Sequence, residues 1–345
     1  MNNFLFNKEK QGDKRTVTLF GFIKIKYTKK NKRNRTDKSI MMGGGDIESM
    51  ITVINNTASQ PLRQIHSVYT AHYEPEVENL AKIIDTFCKT FNVKFVFKNA
   101  FGVKQIFDKT CSSKHLFSYN FPHDCYPELV FLKNLKQKFD VVVDVGANRC
   151  NMASVLSTIS HRIYAFEPCK QTFYDGKETL QLNNISNVEL YNMAVSDGNG
   201  EVEFFDYGFE RHGHNSLLRH SPECIKGSYI VKSIMLDTFL SDKNIKHIDL
   251  LKIDVEGFER QVLKGCKRYL RNKHIDIITF EISKAYVDDK GVEELFDLFI
   301  NNGYKIFDFD MKEICLSDLN DIYHIDLIAI LDDKVEYYKN AIKGD

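Results

Sequence analysis

From Phe139 onward the chain alternates two hydrophobic patterns. Short, mostly apolar runs, VVVDVG, IYAFEP, VELYNMAV, LLKIDVEG, IITFEI, YKIFDF and IDLIAIL, predict strands. Between several of them, CKQTFYDGKETLQLNN, FERQVLKGCKRYLRN and GVEELFDLFINNG carry apolar residues at helical spacing. Continuous apolar strands separated by helices predict an α/β fold, a mostly parallel sheet with helices on both faces. Right-handed crossovers then place the C-terminal strand ends on one edge, where ligands bind at the switch in strand order.

Upstream the pattern changes twice. Val77, Leu80, Ile84, Phe87 and Phe91 line one face of a predicted helix. KFVFKNAFGVKQIF reads as a hairpin or short strand pair, and YPELVFLKNLKQK as a helix leading into the first strand of the sheet. Residues 46–137 are therefore expected to form a mainly helical accessory segment. In residues 1–45 a short apolar piece, TLFGFIKI, precedes KYTKKNKRNRTDK and MMGGGD. The basic run cannot bury a core and three glycines make a joint, so a basic tail and flexible linker are expected. The main domain is placed at residues 138–345.

Composition narrows the function classes. The 345 residues leave room for about two domains. Lysine plus arginine balance aspartate plus glutamate at 47 each. No basic stripe extends beyond the tail, which disfavours nucleic acid as a partner. Eight cysteines, without a C-x-x-C pair or ligand-like spacing to histidines, read as reduced thiols of a cytosolic protein, and no metal is expected. The N-terminus lacks the apolar core of a signal peptide, and no apolar run reaches the roughly 18 residues of a membrane span.

The loop after the first strand, DVGANRC, decides between ligand classes. No G-x-x-x-x-G-K-[ST] occurs, which removes the triphosphate loop. Gly146, Ala147, Asn148, Arg149 and Cys150 lack the G-x-G-x-x-G glycines, which disfavours a nicotinamide oxidoreductase. S-adenosylmethionine asks for less glycine and more carboxylate. Asp144 at the end of the first strand suits its amino acid end, and Glu167 in AFEP suits the two ribose hydroxyls. Either acid alone has a bland alternative: Asp144 bonding its own turn, Glu167 exposed before a proline. Their joint occurrence at successive strand ends, about 22 residues apart, favours ligand binding.

DVGAN, AFEP, AVSDGNGEVEFF, LLKIDVEGFERQVLKG and TFEIS, in that order, resemble the FkbM-type methyltransferases over about residues 126–310. The resemblance implies a seven-stranded, Rossmann-like class I methyltransferase fold, S-adenosylmethionine as donor, and transfer to an oxygen, commonly a sugar hydroxyl. It implies a donor loop of Asp144, Gly146, Ala147 and Asn148, a ribose contact from Glu167 and an adenine-side residue at Asp197. The chain departs from the family at Cys150, where glycine is usual, which puts the approach of donor to helix in question.

Methyl transfer to a hydroxyl is an in-line displacement in which the protein aligns the reactants and a base takes a proton. In LLKIDVEG, strand alternation projects Lys252, Asp254 and Glu256 together. Asp254 is the expected catalytic residue and Glu256 the acceptor-pocket residue; a purely structural Lys252–Asp254 pair is the alternative. The polar segment at residues 209–224 offers His212 and His214 as bases, or as solvated loop histidines. Glu281 in TFEIS is a further pocket residue, and Asp237 in MLDTFL is expected as a helix N-cap.

RTVTLFGFIKIKYTKKNKRNR resembles the leader of enzymes of bacterial surface-polysaccharide assembly, which implies a saccharide or glycan-precursor acceptor at the inner membrane face. Basic residues beside Leu19, Phe20, Phe22 and Ile23 suit peripheral contact with anionic lipid, a solvated tail being the alternative. The function expected is a cytoplasmic S-adenosylmethionine-dependent O-methyltransferase acting on a sugar in polysaccharide biosynthesis. The competing reading is a non-catalytic binding or scaffold protein that keeps the fold.

Overall fold

The computed structural model describes residues 6–11, 14–19, 23–28, 38–41, 93–99, 101–108, 127–208, 215–219, 222–320 and 322–343. The chain divides into two compact units, residues 1–126 and 127–345. The second starts at Pro127 rather than at 138, because the helix ahead of the first sheet strand belongs to it.

In the first unit, β1 (Phe6–Gln11), β2 (Lys14–Leu19) and β3 (Ile23–Thr28) form an antiparallel meander. β4 (Lys38–Met41) runs parallel to β5 (Val93–Lys98), which pairs antiparallel with β6 (Lys104–Phe107). Four strands thus occupy parts of the expected tail. Within the basic run, Val17 and Leu19 stand opposite Ile25 and Ile23 in register, an apolar alternation masked by its lysines. KFVFKNAFGVKQIF is a hairpin, closed by the Asn99 carbonyl side chain accepting from the amides of Phe101 and Val103, both at 3.0 Å. The helix expected from the Val77–Phe91 spacing lies outside the described residues.

The second unit carries a seven-stranded Rossmann-like sheet. Its strands are β7 (Phe139–Val145), β8 (Ser160–Phe166), β9 (Val188–Tyr191), β13 (Ile248–Ile253), β14 (Ile275–Ser283), β15 (Tyr304–Phe307) and β16 (His324–Leu331). The order is β15-β16-β14-β13-β7-β8-β9, with β16 antiparallel to its neighbours. Each of the seven apolar runs contributes one strand to this sheet. Consecutive residues Val142 and Val143, Leu250 and Leu251, and Ile277 and Ile278 are all fully buried, so both faces of the sheet are covered. Each such side chain contributes about 1.5–3 kcal/mol by leaving water.

Helices cover those faces: α1 (Pro127–Asn134), α2 (Asn151–Leu156), α3 (Lys170–Leu182), α4 (Leu236–Asp242), α5 (Glu259–Lys264), α6 (Lys267–Arg271), α7 (Asp289–Ile300) and α8 (Val335–Lys343). In α7, Val292, Leu295, Phe296 and Phe299 form the buried stripe, and Asp288 caps the start by accepting from the Gly291 amide at 2.8 Å. Among the described residues no helix is long and apolar enough to cross a membrane.

Two local expectations change. VELYNMAV is not one strand: the chain leaves the main sheet after Tyr191, and β10 (Ala194–Val195) joins β11 (Gly200–Asp206) and β12 (Gly227–Ile234) in a separate sheet of order β10-β12-β11. Asp237 lies in the first turn of α4, but its carboxylate accepts from the amides of Arg268 and Tyr269, at 2.9 and 3.3 Å. It caps the start of α6, a helix 30 residues further on.

Candidate functional site

β7 is flanked by β8 on one side and β13 on the other, so the switch in strand order falls at its C-terminal end. There the register aligns Asp144, Lys252 and Thr279 in one row across β7, β13 and β14. Lys252 is 5 % exposed; its Nζ lies 2.9 Å from Asp254 Oδ2 and 4.0 Å from Asp144 Oδ1. Burial alone would pull its ammonium down, but Asp254, Asp144 and Glu128 outweigh burial and hold it above its ordinary value. Glu128 reaches this row from α1 and accepts from the Thr279 hydroxyl.

Asp144 is fully buried, and neither carboxylate oxygen receives a hydrogen bond among the described residues. Burial pushes its pKa up to about 6; Lys252 opposes this, and Asp254 and Glu128 add to it. A buried carboxylate without donors is costly, and native proteins retain one where a ligand supplies the missing partner.

The following loop is set by close approach. Gly146 has φ +87°, and a Cβ there would lie 1.8 Å from the Asp254 carbonyl oxygen, so the position requires glycine. The amides of Gly146 and Ala147 donate to the Phe166 carbonyl at 3.0 and 2.9 Å, binding the loop to the end of β8. Asn148 and Cys150 are both left-handed, with φ 48° and 57°. Cys150 is fully buried, and a Cβ on Gly176 of α3 would come within 2.9 Å of its Sγ, so the thiol fills the space that Gly176 leaves. Arg149 joins the loop to the same helix through Asp175, at 2.9 Å.

Glu167, 6 % exposed, closes the loop from the other side. Oε2 accepts from the Asn148 amide at 2.9 Å; Oε1 accepts from the Cys169 amide at 2.7 Å and the Thr172 hydroxyl at 3.0 Å. Burial raises its pKa to about 8, with Cys169 adding and the three hydrogen bonds opposing. Asn192, at the end of β9, donates to the carbonyls of Glu167 and Pro168, each at 2.9 Å. Asp197 is exposed in the turn between β10 and β11, and no contact among the described residues joins it to this group.

The other half of the edge is built by β13, β14 and β16. β13 ends at Ile253, so strand alternation does not extend to Glu256. Glu256 instead takes φ 54° in a left-handed turn and stands within 4.8 Å of Asp254 and Glu281, oxygen to oxygen. Burial pushes Glu256 up to about 9, with Asp254 and Glu281 adding and Tyr286 opposing through a hydrogen bond. Glu259 fixes the turn by accepting from the amides of Val255 and Gly257, at 3.3 and 3.2 Å. Glu281 pairs with His324 of β16 at 3.0 Å and lies opposite Asp326 in register.

The structure therefore brings together Asp144, Gly146, Ala147, Asn148 and Glu167, and beside them Asp254, Glu256 and Glu281. His212 and His214 lie outside the described residues. Glu128 and Asn192 escaped the sequence reading: Glu128 is 151 residues from its partner Thr279, and no local pattern announces that contact.

Residues 144–306 match the family model described as the methyltransferase FkbM domain. The chain is 29 % identical over 156 residues to the hexuronic acid methyltransferase AglP of Haloferax volcanii; the match covers 45 % of this chain and 61 % of that protein, under two thirds of its length. It is 22 % identical over 178 residues to the 2-O-methyltransferase NoeI of Sinorhizobium fredii, covering 48 % and 72 % of the two chains. Among solved structures it is similar to the methyltransferase FkbM of Methylobacillus flagellatus KT, at 12 % identity and a TM-score of 0.36, covering 72 % of this chain and 70 % of that one.

Proposed function

We propose that this domain transfers a methyl group from S-adenosylmethionine to a hydroxyl of a saccharide. The observation that carries the reading is Asp144, a fully buried carboxylate at the strand switch with neither oxygen hydrogen-bonded. An ammonium group is the complementary partner, and the methionine end of the donor has one. Glu167 uses three protein donors, and its oxygens retain acceptor capacity for the ribose hydroxyls. Cys150 fits this reading as well, since its thiol packs against Gly176, and the argument for a non-catalytic scaffold weakens accordingly.

When bound, the donor supplies a sulfonium-activated methyl carbon, whose bond to sulfur breaks as its bond to the acceptor oxygen forms. The acceptor proton passes to Asp254, whose side chain is 45 % exposed and held by Lys252. Glu256, protonated near neutral pH, donates to acceptor oxygens rather than taking their protons. A saccharide acceptor is supported by the named substrate of AglP. A cytoplasmic place in surface-polysaccharide assembly, with the basic N-terminal residues against anionic lipid, belongs to the same proposal; vesicle cosedimentation of the chain with and without residues 1–45 tests that part.

Calorimetric titration with S-adenosylmethionine and its demethylated product, in wild type and in Asp144→Asn and Glu167→Ala, tests donor binding. Wild type is expected to bind both and the variants neither. Methyl transfer to uronic-acid and neutral glycans then tests the acceptor; donor binding without transfer to any glycan would reject the saccharide.

A further inference from the structure

The turn that presents Glu256 is held from three separate elements, and two of the residues that hold it have no part in the chemistry assigned above. Glu256 lies in the left-handed region at φ 54°, and Gly257 follows at φ +95°. A residue with a side chain seldom occupies that region, and it stays there only where its surroundings over-determine it. Here they do.

Ser216, 2 % exposed, comes from the small sheet, where its backbone pairs with Phe205 of β11. Its hydroxyl accepts from the Leu218 amide at 3.0 Å and donates to the carbonyls of Val255 and Glu256, 3.2 and 3.1 Å away. Glu259 of α5 supplies the complementary half by taking the amides of Val255 and Gly257. Tyr286, set just past β14 by its amide bond to the Ser283 carbonyl at 3.0 Å, donates its hydroxyl to the Glu256 side chain. A Cβ on Gly257 would lie 2.6 Å from Tyr286 Cβ and 3.0 Å from Leu218 Cδ1, so both segments close on the turn at this residue. The charged groups facing the Glu256 carboxyl are Asp254 from β13, Glu281 from β14, itself paired with His324 of β16, and Glu259 from α5. A carboxyl free to turn would leave such neighbours for water.

We propose that Ser216 and Tyr286 are positioning residues that aim the Glu256 carboxyl into the acceptor pocket, Ser216 through the backbone of the turn and Tyr286 through the side chain. This role rests on the methyl-transfer reading, whereas the direction of the carboxyl can be measured without any acceptor.

The test is a carboxyl-carbon magnetic resonance titration of the ligand-free full chain labelled at glutamate, the Glu256 signal being assigned by its loss in Glu256→Gln. In wild type it is expected to titrate near 9. Tyr286→Phe removes a donor that favours the ionised form and should move the titration higher. Ser216→Ala frees the turn, lets the carboxyl reach water and should move it down toward the ordinary 4.5. Ser228→Ala, which removes an exposed hydroxyl of the same small sheet, bonded to Glu203 at 2.6 Å, should leave it unchanged. With neutral glycans, Tyr286→Phe and Ser216→Ala should each raise KM about tenfold, the scale of one lost hydrogen bond, at unchanged calorimetric donor affinity. Wild-type titration in the ordinary carboxylate range, an unmoved titration in folded Tyr286→Phe or folded Ser216→Ala, or an equal shift in Ser228→Ala would overturn the proposal. Donor binding without transfer to any glycan would instead reject the saccharide, and the titration would still decide where Glu256 points.

Discussion

Replacing Asp144 by asparagine should stabilise the ligand-free protein while abolishing donor binding. The carboxyl is fully buried and its pKa is lifted from an ordinary 3.8 to about 6. The folded state therefore binds its proton more tightly than the unfolded state, and stability falls as pH rises from about 4 through 6. Above both values the ionised carboxylate costs about 3 kcal/mol, at roughly 1.4 kcal/mol per pH unit. Asparagine keeps the shape without the charge. Lys252 loses its 4.0 Å neighbour but keeps Asp254 at 2.9 Å, so the expected gain above pH 7 is about 2–3 kcal/mol, vanishing below about pH 4. Urea denaturation of both proteins between pH 4 and 8.5 measures the gain, and calorimetry measures the lost affinity. Wild-type affinity for the donor should also fall up to tenfold per pH unit below 6, as protons compete for Asp144. A variant less stable than wild type at pH 8, or one that binds the donor unchanged, would refute the reasoning.

Three further outcomes are expected. Asp254→Asn should retain donor affinity and lose about 10²–10⁴-fold in turnover by initial-rate assay, whereas Glu256→Gln, which mimics the protonated acid, should keep turnover within about tenfold; equal losses would mean that Asp254 is not the base. Gly176→Ala should destabilise because its methyl meets the Cys150 thiol, and adding Cys150→Gly should recover about 1 kcal/mol or more of that loss, read as the coupling in a denaturation double-mutant cycle. The ligand-free protein should lose stability from pH 5.5 to 9, because Asp144, Glu167 and Glu256 all titrate high in the folded state, near 6, 8 and 9, and each favours the fold only while protonated; a flat urea-midpoint profile would contradict this.

The strands were legible because burial on both faces leaves uninterrupted apolar runs, as at Val142–Val143 and Leu250–Leu251. Asp144 and Glu167 were legible for the same reason: each is a charge that ends such a run. Legibility stopped where position depends on a distant partner or a non-strand dihedral. Glu256 was assigned by alternation, but β13 ends three residues before it and a left-handed turn sets its direction. Asp237 has the sequence context of a cap for its own helix, yet α6 offers free amides within reach of its carboxylate. In the segment 194–206 alternation was weak, with Glu201 and Glu203 exposed, and its pairing with β12 brings together residues up to 39 positions apart.

The carboxylates of this molecule divide by purpose. At the surface, Glu189 and Asp332 accept from Tyr191 and Lys305 and are held below their ordinary range, as stability alone favours. At the C-terminal sheet edge, burial holds Glu128, Asp144, Glu167 and Glu256 above it, a concentration of cost that marks a site built for a ligand. Within that group the hydrogen bonds separate two roles. Glu167 is engaged by Asn148, Cys169 and Thr172, so it shapes the loop even without a ligand. Asp144 has a lysine at 4.0 Å and no donor among the described residues, so its cost is recovered only when a cationic group enters beside it.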